Sequence, residues 1–198
     1  MSTNATAKMS QFIERWGQTG VRMSFTNTTP DPMPDSDELF RQAENKYLEG
    51  MPLQAEELEC MRRFARSTEA RTASIACGAL LRDPNARRQQ KEEARLILRK
   101  LCTVLKNESD KSELSVTLMM IPFDEINDEI VKGFAYDLIN STRFTLRTNG
   151  LAVLERYASR RDEEALRLLR VATTDSNEIV RKSALAKVKR LESNRSES

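Results

Sequence analysis

A chain of 198 residues, 39% apolar and 31% charged with a net charge of +2, is long enough to bury one substantial core. It contains no histidine, which removes the commonest general base, the commonest metal ligand and the titration near neutrality that pH switches use. No run of about 18 apolar residues is present, so no membrane span is expected, and Cys60, Cys77 and Cys102 lack the CxxC spacing of zinc sites.

Residues 1–36 are rich in Ser, Thr, Asn and Pro and end in Thr28-Thr29-Pro30-Asp31-Pro32-Met33-Pro34. Closely spaced prolines favour extended chain, and the composition predicts a disordered N-terminal tail. Within it, over 8–17, Met9, Phe12, Ile13 and Trp16 fall on one helical face. Such a face is a docking segment, either for a partner or for this chain's own groove. The acid-poor, hydroxyl-rich stretch 1–29 also has the character of an organelle transit peptide.

An all-helical domain is expected over 37–192. Asp35-x-x-Glu38 has the form of a capping box and opens a helix with Leu39, Phe40, Ala43, Tyr47 and Leu48 inward, ending at Gly50. Pro52 opens the second, with Leu53, Leu58, Met61 and Phe64 inward. The third, about Glu69 to Leu81, is rich in small residues that allow helices to approach closely. The fourth, about Ala86 to Lys106, carries a broad apolar face from Ala94 to Leu105 that includes Leu98, Cys102 and Val104. Asp110-x-x-Glu113 caps a fifth, with Leu114, Val116 and Leu118, stopped at Pro122. Helices follow at about 127–140, 142–159 and 162–173, and Asp175-x-x-Glu178 caps a last one carrying Ile179, Val180, Ala184, Leu185, Val188 and Leu191. Residues 193–198 read as a polar tail. Eight or nine helices without a strand make an all-α chain, and each cysteine sits in an apolar helical pattern, as a buried free thiol of a reducing compartment would.

The small net charge hides strong segregation. Residues 30–61 carry nine acids and two bases, 62–106 twelve bases and four acids, 107–137 eight acids and two bases, and 178–198 six bases and three acids. Blocks of alternating sign either satisfy one another across neighbouring helices or form partner surfaces. Arg88, Lys91, Arg95 and Arg99 keep i+3 and i+4 spacing and form one stripe, and Arg62, Arg63 and Arg66 precede them. A stripe of that kind can follow a phosphate backbone, although Phe64 is the only aromatic residue near enough for base stacking.

The chain also repeats itself. Leu146-Arg147 through Leu154-Glu155-Arg156 aligns with Val180-Arg181 through Val188-Lys189-Arg190, 34 residues later, and a period of that length marks stacked helical units. Over 175–191 the order Asp175, Val180-Arg181, Ala184, Val188 resembles the second half of a HEAT repeat, in which a turn Asp precedes a Val-Arg-x-x-Ala helix. Leu146-Arg147 and Gly150 fill the same places one unit earlier, with Asn140-Ser141 where the turn Asp would stand, and Arg71, Ile75, Ala76 and Gly78 fit loosely. The resemblance spans about 60 C-terminal residues. It implies a right-handed stack of antiparallel helix pairs, an α-solenoid that binds proteins, or sometimes nucleic acid, along one face. Some HEAT-like proteins are DNA glycosylases, which need an aromatic-lined cleft, and the one tryptophan here, Trp16, lies in the tail.

No catalytic set is visible: no G-x-S-x-G, no phosphate-binding glycine loop and no facing carboxylate dyad among Glu56-Glu57, Glu92-Glu93 and Glu163-Glu164. Asp124, Asp128 and Glu129 do not follow the calcium-loop pattern. The expectation is therefore a cytoplasmic, non-enzymatic helical-repeat scaffold without cofactor or metal, binding another protein along its groove face. The alternative is a nucleic-acid-binding module that uses the basic stripe in 62–106.

Overall fold

The computed structural model describes residues 36–196, and over them the fold is all-helical, with ten α-helices and no strand. They are α1 (Ser36–Glu49), α2 (Ala55–Phe64), α3 (Ala70–Arg82), α4 (Arg88–Val104), α5 (Glu108–Met120), α6 (Phe123–Ile126), α7 (Glu129–Ile139), α8 (Phe144–Ala158), α9 (Glu163–Val171) and α10 (Glu178–Ser196). A 3-10 turn, Ala172–Thr174, extends α9. Ten helices replace the expected eight or nine, because α6 is a single turn too short to show a period. The tail segment with Met9, Phe12, Ile13 and Trp16 lies outside the described residues, as does Asp35.

Local chemistry sets the ends. Gly50, at φ 74°, closes α1 in the left-handed conformation that glycine tolerates, and the amide of Met51 reaches back to the Lys46 carbonyl at 2.8 Å. The Glu57 side chain returns to the Gln54 amide at 2.7 Å in a capping box at the start of α2. α5 begins at Glu108 rather than at Asp110, since Asn107 accepts from the Ser109 amide at 2.8 Å and caps the helix sooner. Asp175 likewise does not cap α10. Asn177 does, accepting from the Ile179 amide at 2.9 Å, while Asp175 holds the preceding turn through the Asn177 amide at 2.7 Å. The segment read as a polar tail continues α10 as far as Ser196.

Two helices organise the packing. α3 packs on α1, α2, α4 and α5, and α8 packs on α5, α7, α9 and α10. With the single-turn α6 set aside, the contacts α1–α3, α3–α5, α5–α8 and α8–α10 run through alternate members of the series. Both organising helices are narrow where neighbours cross. A methyl group added at Gly150 would lie 2.9 Å from the Leu138 Cβ and 3.0 Å from the Ala135 carbonyl of α7. One added at Gly78 would lie 2.5 Å from the Tyr47 hydroxyl and 2.7 Å from the Thr117 methyl, so α3 needs its glycine between α1 and α5.

The core runs continuously from Phe40, Ala43 and Tyr47 to Val180, Ala184, Val188 and Leu191, and includes all three cysteines as free thiols. Leu48, Val104, Val116, Ile179 and Leu185, expected inward, are exposed. Each lies on a face for which the described helices provide no cover.

The Tyr47 hydroxyl is buried without a partner, and burial pushes its pKa up to about 12. An unpartnered buried hydroxyl gains nothing from its oxygen. Tyr47→Phe is therefore expected to be neutral or stabilising, and Gly78→Ala to cost about 1–3 kcal/mol by overpacking. The double variant should recover part of that loss, because the Tyr47 hydroxyl is gone while the Thr117 methyl stays. Urea unfolding midpoints of the four proteins check this.

Candidate partner-binding surface

The surface is built from charges that meet across helices. Arg62 on α2 donates to Glu93 of α4 at 3.0 Å, and Arg66, in the turn after α2, donates to the same carboxylate at 2.8 Å. On α4, Arg95 pairs with Glu125 of α6, Lys91 lies 3.6 Å from that carboxylate, and Arg99 pairs with Asp128, the N-cap of α7. On α7, Lys132 pairs with Asp162, the N-cap of α9. Of the seven residues singled out as the basic site, Arg62, Arg66, Lys91, Arg95 and Arg99 are thus joined to acids on another element. Arg63 lies 3.9 Å from Glu59 on its own helix. Arg88 is exposed and makes no ion pair among the described residues.

The other side of the fold repeats the scheme. Arg71 donates to Glu44 at 2.6 Å, Lys187 and Arg190 both donate to Glu155, and Arg147 holds Asp175 with two hydrogen bonds of 3.0 Å. These interhelical pairs join residues 27 to 35 positions apart. Neutral contacts keep the same stride: Asn149 to Ser115 across 34 positions, and the Tyr157 hydroxyl to the Ile126 carbonyl across 31.

Arg147 and Arg181, aligned by the 34-residue period, occupy matching environments. Arg147 donates to the carbonyls of Ser141 and Thr142, both at 2.9 Å. Arg181 donates to those of Asp175 and Ser176 at 2.6 and 2.8 Å. Each guanidinium stitches its helix to the turn before it. Arg156 does similar work on α5, donating to the Leu118 and Ile121 carbonyls near the helix C-terminus, where a cation is favoured.

The pairs differ in strength with shielding. Exposed ones contribute little. Lys187–Glu155 and Arg147–Asp175 are mostly shielded, and removing one member there strands a charge. Burial alone would raise the Glu93 carboxyl, but the hydrogen bonds from Arg62 and Arg66 outweigh it and hold the group below its ordinary value. Asp162 is lowered the same way by Lys132 and the Ala165 amide, and Asp175 by the Asn177 amide and Arg147, each against the upward push of burial.

Burial raises the Cys60, Cys77 and Cys102 thiols, which disfavours the nucleophilic thiolate. Among the described residues no group of three His, Cys, Asp or Glu side chains is placed to hold a metal ion, and no helix is long and apolar enough to cross a membrane. Two hollows among the described residues are small. One, of about 180 Å³, is lined by Tyr47, Met51, Leu53 and Arg82, and the other, of about 120 Å³, by Arg95, Arg99 and Asp128. Small-molecule sites usually reach about 300–1,000 Å³.

No protein-family model matches the chain, and no curated protein matches its sequence. Among solved structures, the crystal structure of an engineered protein from the Northeast Structural Genomics Consortium superposes with a TM-score of 0.53 at 16% identity, covering 80% of this chain and 72% of that one. Likeness at that identity speaks for the fold alone.

Carboxyls lowered by folding stabilise the protein above their unfolded values and lose that contribution as pH falls through the folded ones. Stability is therefore expected to drop below the ordinary glutamate and aspartate values of 4.5 and 3.8. Glu93→Gln should cost about 0.5–1 kcal/mol near neutrality, because Arg62 and Arg66 lose their charged acceptor but remain largely solvated. Its acid limb should be shallower than the parent's, as denaturant unfolding between about pH 3 and 7 will show.

Proposed function

We propose that this chain is a non-enzymatic scaffold, a right-handed stack of antiparallel helix pairs that binds another protein along its groove face. The alternate-helix contacts and the 27-to-35-residue stride of most interhelical ion pairs support the stacked arrangement, as does the resemblance of 175–191 to a HEAT unit. Stacked repeats offer extended surfaces in place of enclosed pockets, and the hollows here are too small for a typical substrate. The three shielded free thiols suit a reducing, cytoplasmic setting.

One observation favours a protein partner over nucleic acid: most of the basic stripe is already neutralised by the chain's own acids. Phosphates would have to displace those carboxylates, and the gain from counterion release falls accordingly.

Fluorescence anisotropy with labelled duplex DNA and single-stranded RNA across a salt series tests this choice. The expected result is affinity weaker than the roughly 10⁻⁴–10⁻⁶ M of ordinary non-specific binding. Tighter binding that weakens steeply with salt and is lost in Arg88→Glu/Arg95→Glu would make the nucleic-acid module the correct reading.

A further inference from the structure

The two ends of the helical series differ. In the 34-residue register Leu146, Gly150, Leu154 and Tyr157 of α8 correspond to Val180, Ala184, Val188 and Leu191 of α10, and all eight are buried. Leu151 and Leu185 correspond too, yet Leu151 is 0% exposed and Leu185 46%. α8 is followed by another helix of the series, whereas no described helix follows α10. The uncovered face carries Leu185 and Ile179, the latter 55% exposed, together with Lys182 and Lys189. Lys182 has only its helical neighbour Glu178, at 2.6 Å, and Lys189 makes no ion pair among the described residues.

The opposite end has the complementary character. α1 turns Phe40, Ala43 and Tyr47 inward and exposes Asp37, Glu38 and Glu49, with the exposed Arg41 lying 3.8 Å from Glu38 on the same helix. Leu48, 53% exposed, and Met51 flank Glu49 at the C-terminal end of α1. Within the fold, helices that pack on each other are joined by buried apolar contacts bridged by ion pairs, as Glu155 bridges α8 to Lys187 and Arg190 of α10. The two ends thus carry opposite charge beside exposed apolar side chains, and the partners of Glu38 and Lys182 are exposed neighbours on their own helices.

We propose that the α10 face of one molecule docks on the α1 face of a second copy, head to tail, with Ile179 and Leu185 against Leu48 and Met51, and Lys182 and Lys189 against Glu38 and Glu49. This rests on the stacked-pair reading. Such a contact is heterologous: each copy keeps one free end, so association is open-ended and grows with concentration. A single helix face makes a small interface, which gives weak, transient association, and its ionic part is screened by salt.

Sedimentation velocity of the full chain at rising concentration, at low and high salt, tests the proposal. The expected result is a mass that climbs above the 22.6 kDa monomer at low salt and returns to it at high salt. Lys182→Glu/Lys189→Glu and Glu38→Lys/Glu49→Lys should each be monomeric alone, because each presents like charges at both ends, and mixing the two should restore association. All four positions are exposed, and far-ultraviolet circular dichroism confirms that the variants fold. A parent protein that stays monomeric throughout, or variants that associate alone as the parent does, would overturn the docking. Monomeric protein in which a change at one end of the series leaves exchange at the other untouched would overturn the docking alone. Loss of that locality would overturn the stacked-pair reading beneath it.

Discussion

A cation on one helix and a carboxylate about thirty residues away on another form the contact on which the rest of the surface depends. Glu93 serves Arg62 and Arg66, Glu125 serves Lys91 and Arg95, and Glu155 serves Lys187 and Arg190. Charged side chains at the rim of a helix contact need compensation, and each helix is compensated by others of the fold. Segregation of charge along the chain follows from that geometry. A basic helix next in space to acidic ones is compensated locally, so blocks of one sign can coexist in a chain of net charge +2.

Beneath the charges, the approach of the helices is set by absent side chains. Gly78 lets α3 lie between α1 and α5, and Gly150 lets α8 lie against α7. α3 and α8 each touch four other helices, so each is small or apolar on most of its circumference. Arginines 147 and 181 then tie their helices to the turns before them. Shape and charge point the same way, a consistency expected of a sequence that specifies one fold.

Much of this was legible before any coordinates. Apolar spacing marked most of the helices, and the repeat of Arg147 as Arg181 marked two equivalent positions whose equivalence the hydrogen bonds bear out. What escaped did so for physical reasons. α6 is one turn long, and a turn has no period. Asn107 and Asp110 are both good caps, and only geometry decides which accepts from the backbone. Periodicity identified Leu48, Ile179 and Leu185 as apolar positions but cannot say whether a neighbour covers them. The sign of each charge block was plain, yet Glu93 lies inside the basic block, so its role as acceptor for Arg62 and Arg66 was hidden.

The central claim is that neighbouring helix pairs are coupled to one another and not to the fold as a whole, as stacked units are. Asp175 gives the most direct access, because it binds Arg147 of α8 and lies at the far end of the chain from α1. Hydrogen exchange of Asp175→Ala, followed helix by helix, is the measurement to make. The account predicts faster exchange in α8, α9 and α10 with protection in α1 to α4 unchanged. An equal loss of protection across all ten helices, the response of a single closed bundle, would contradict it.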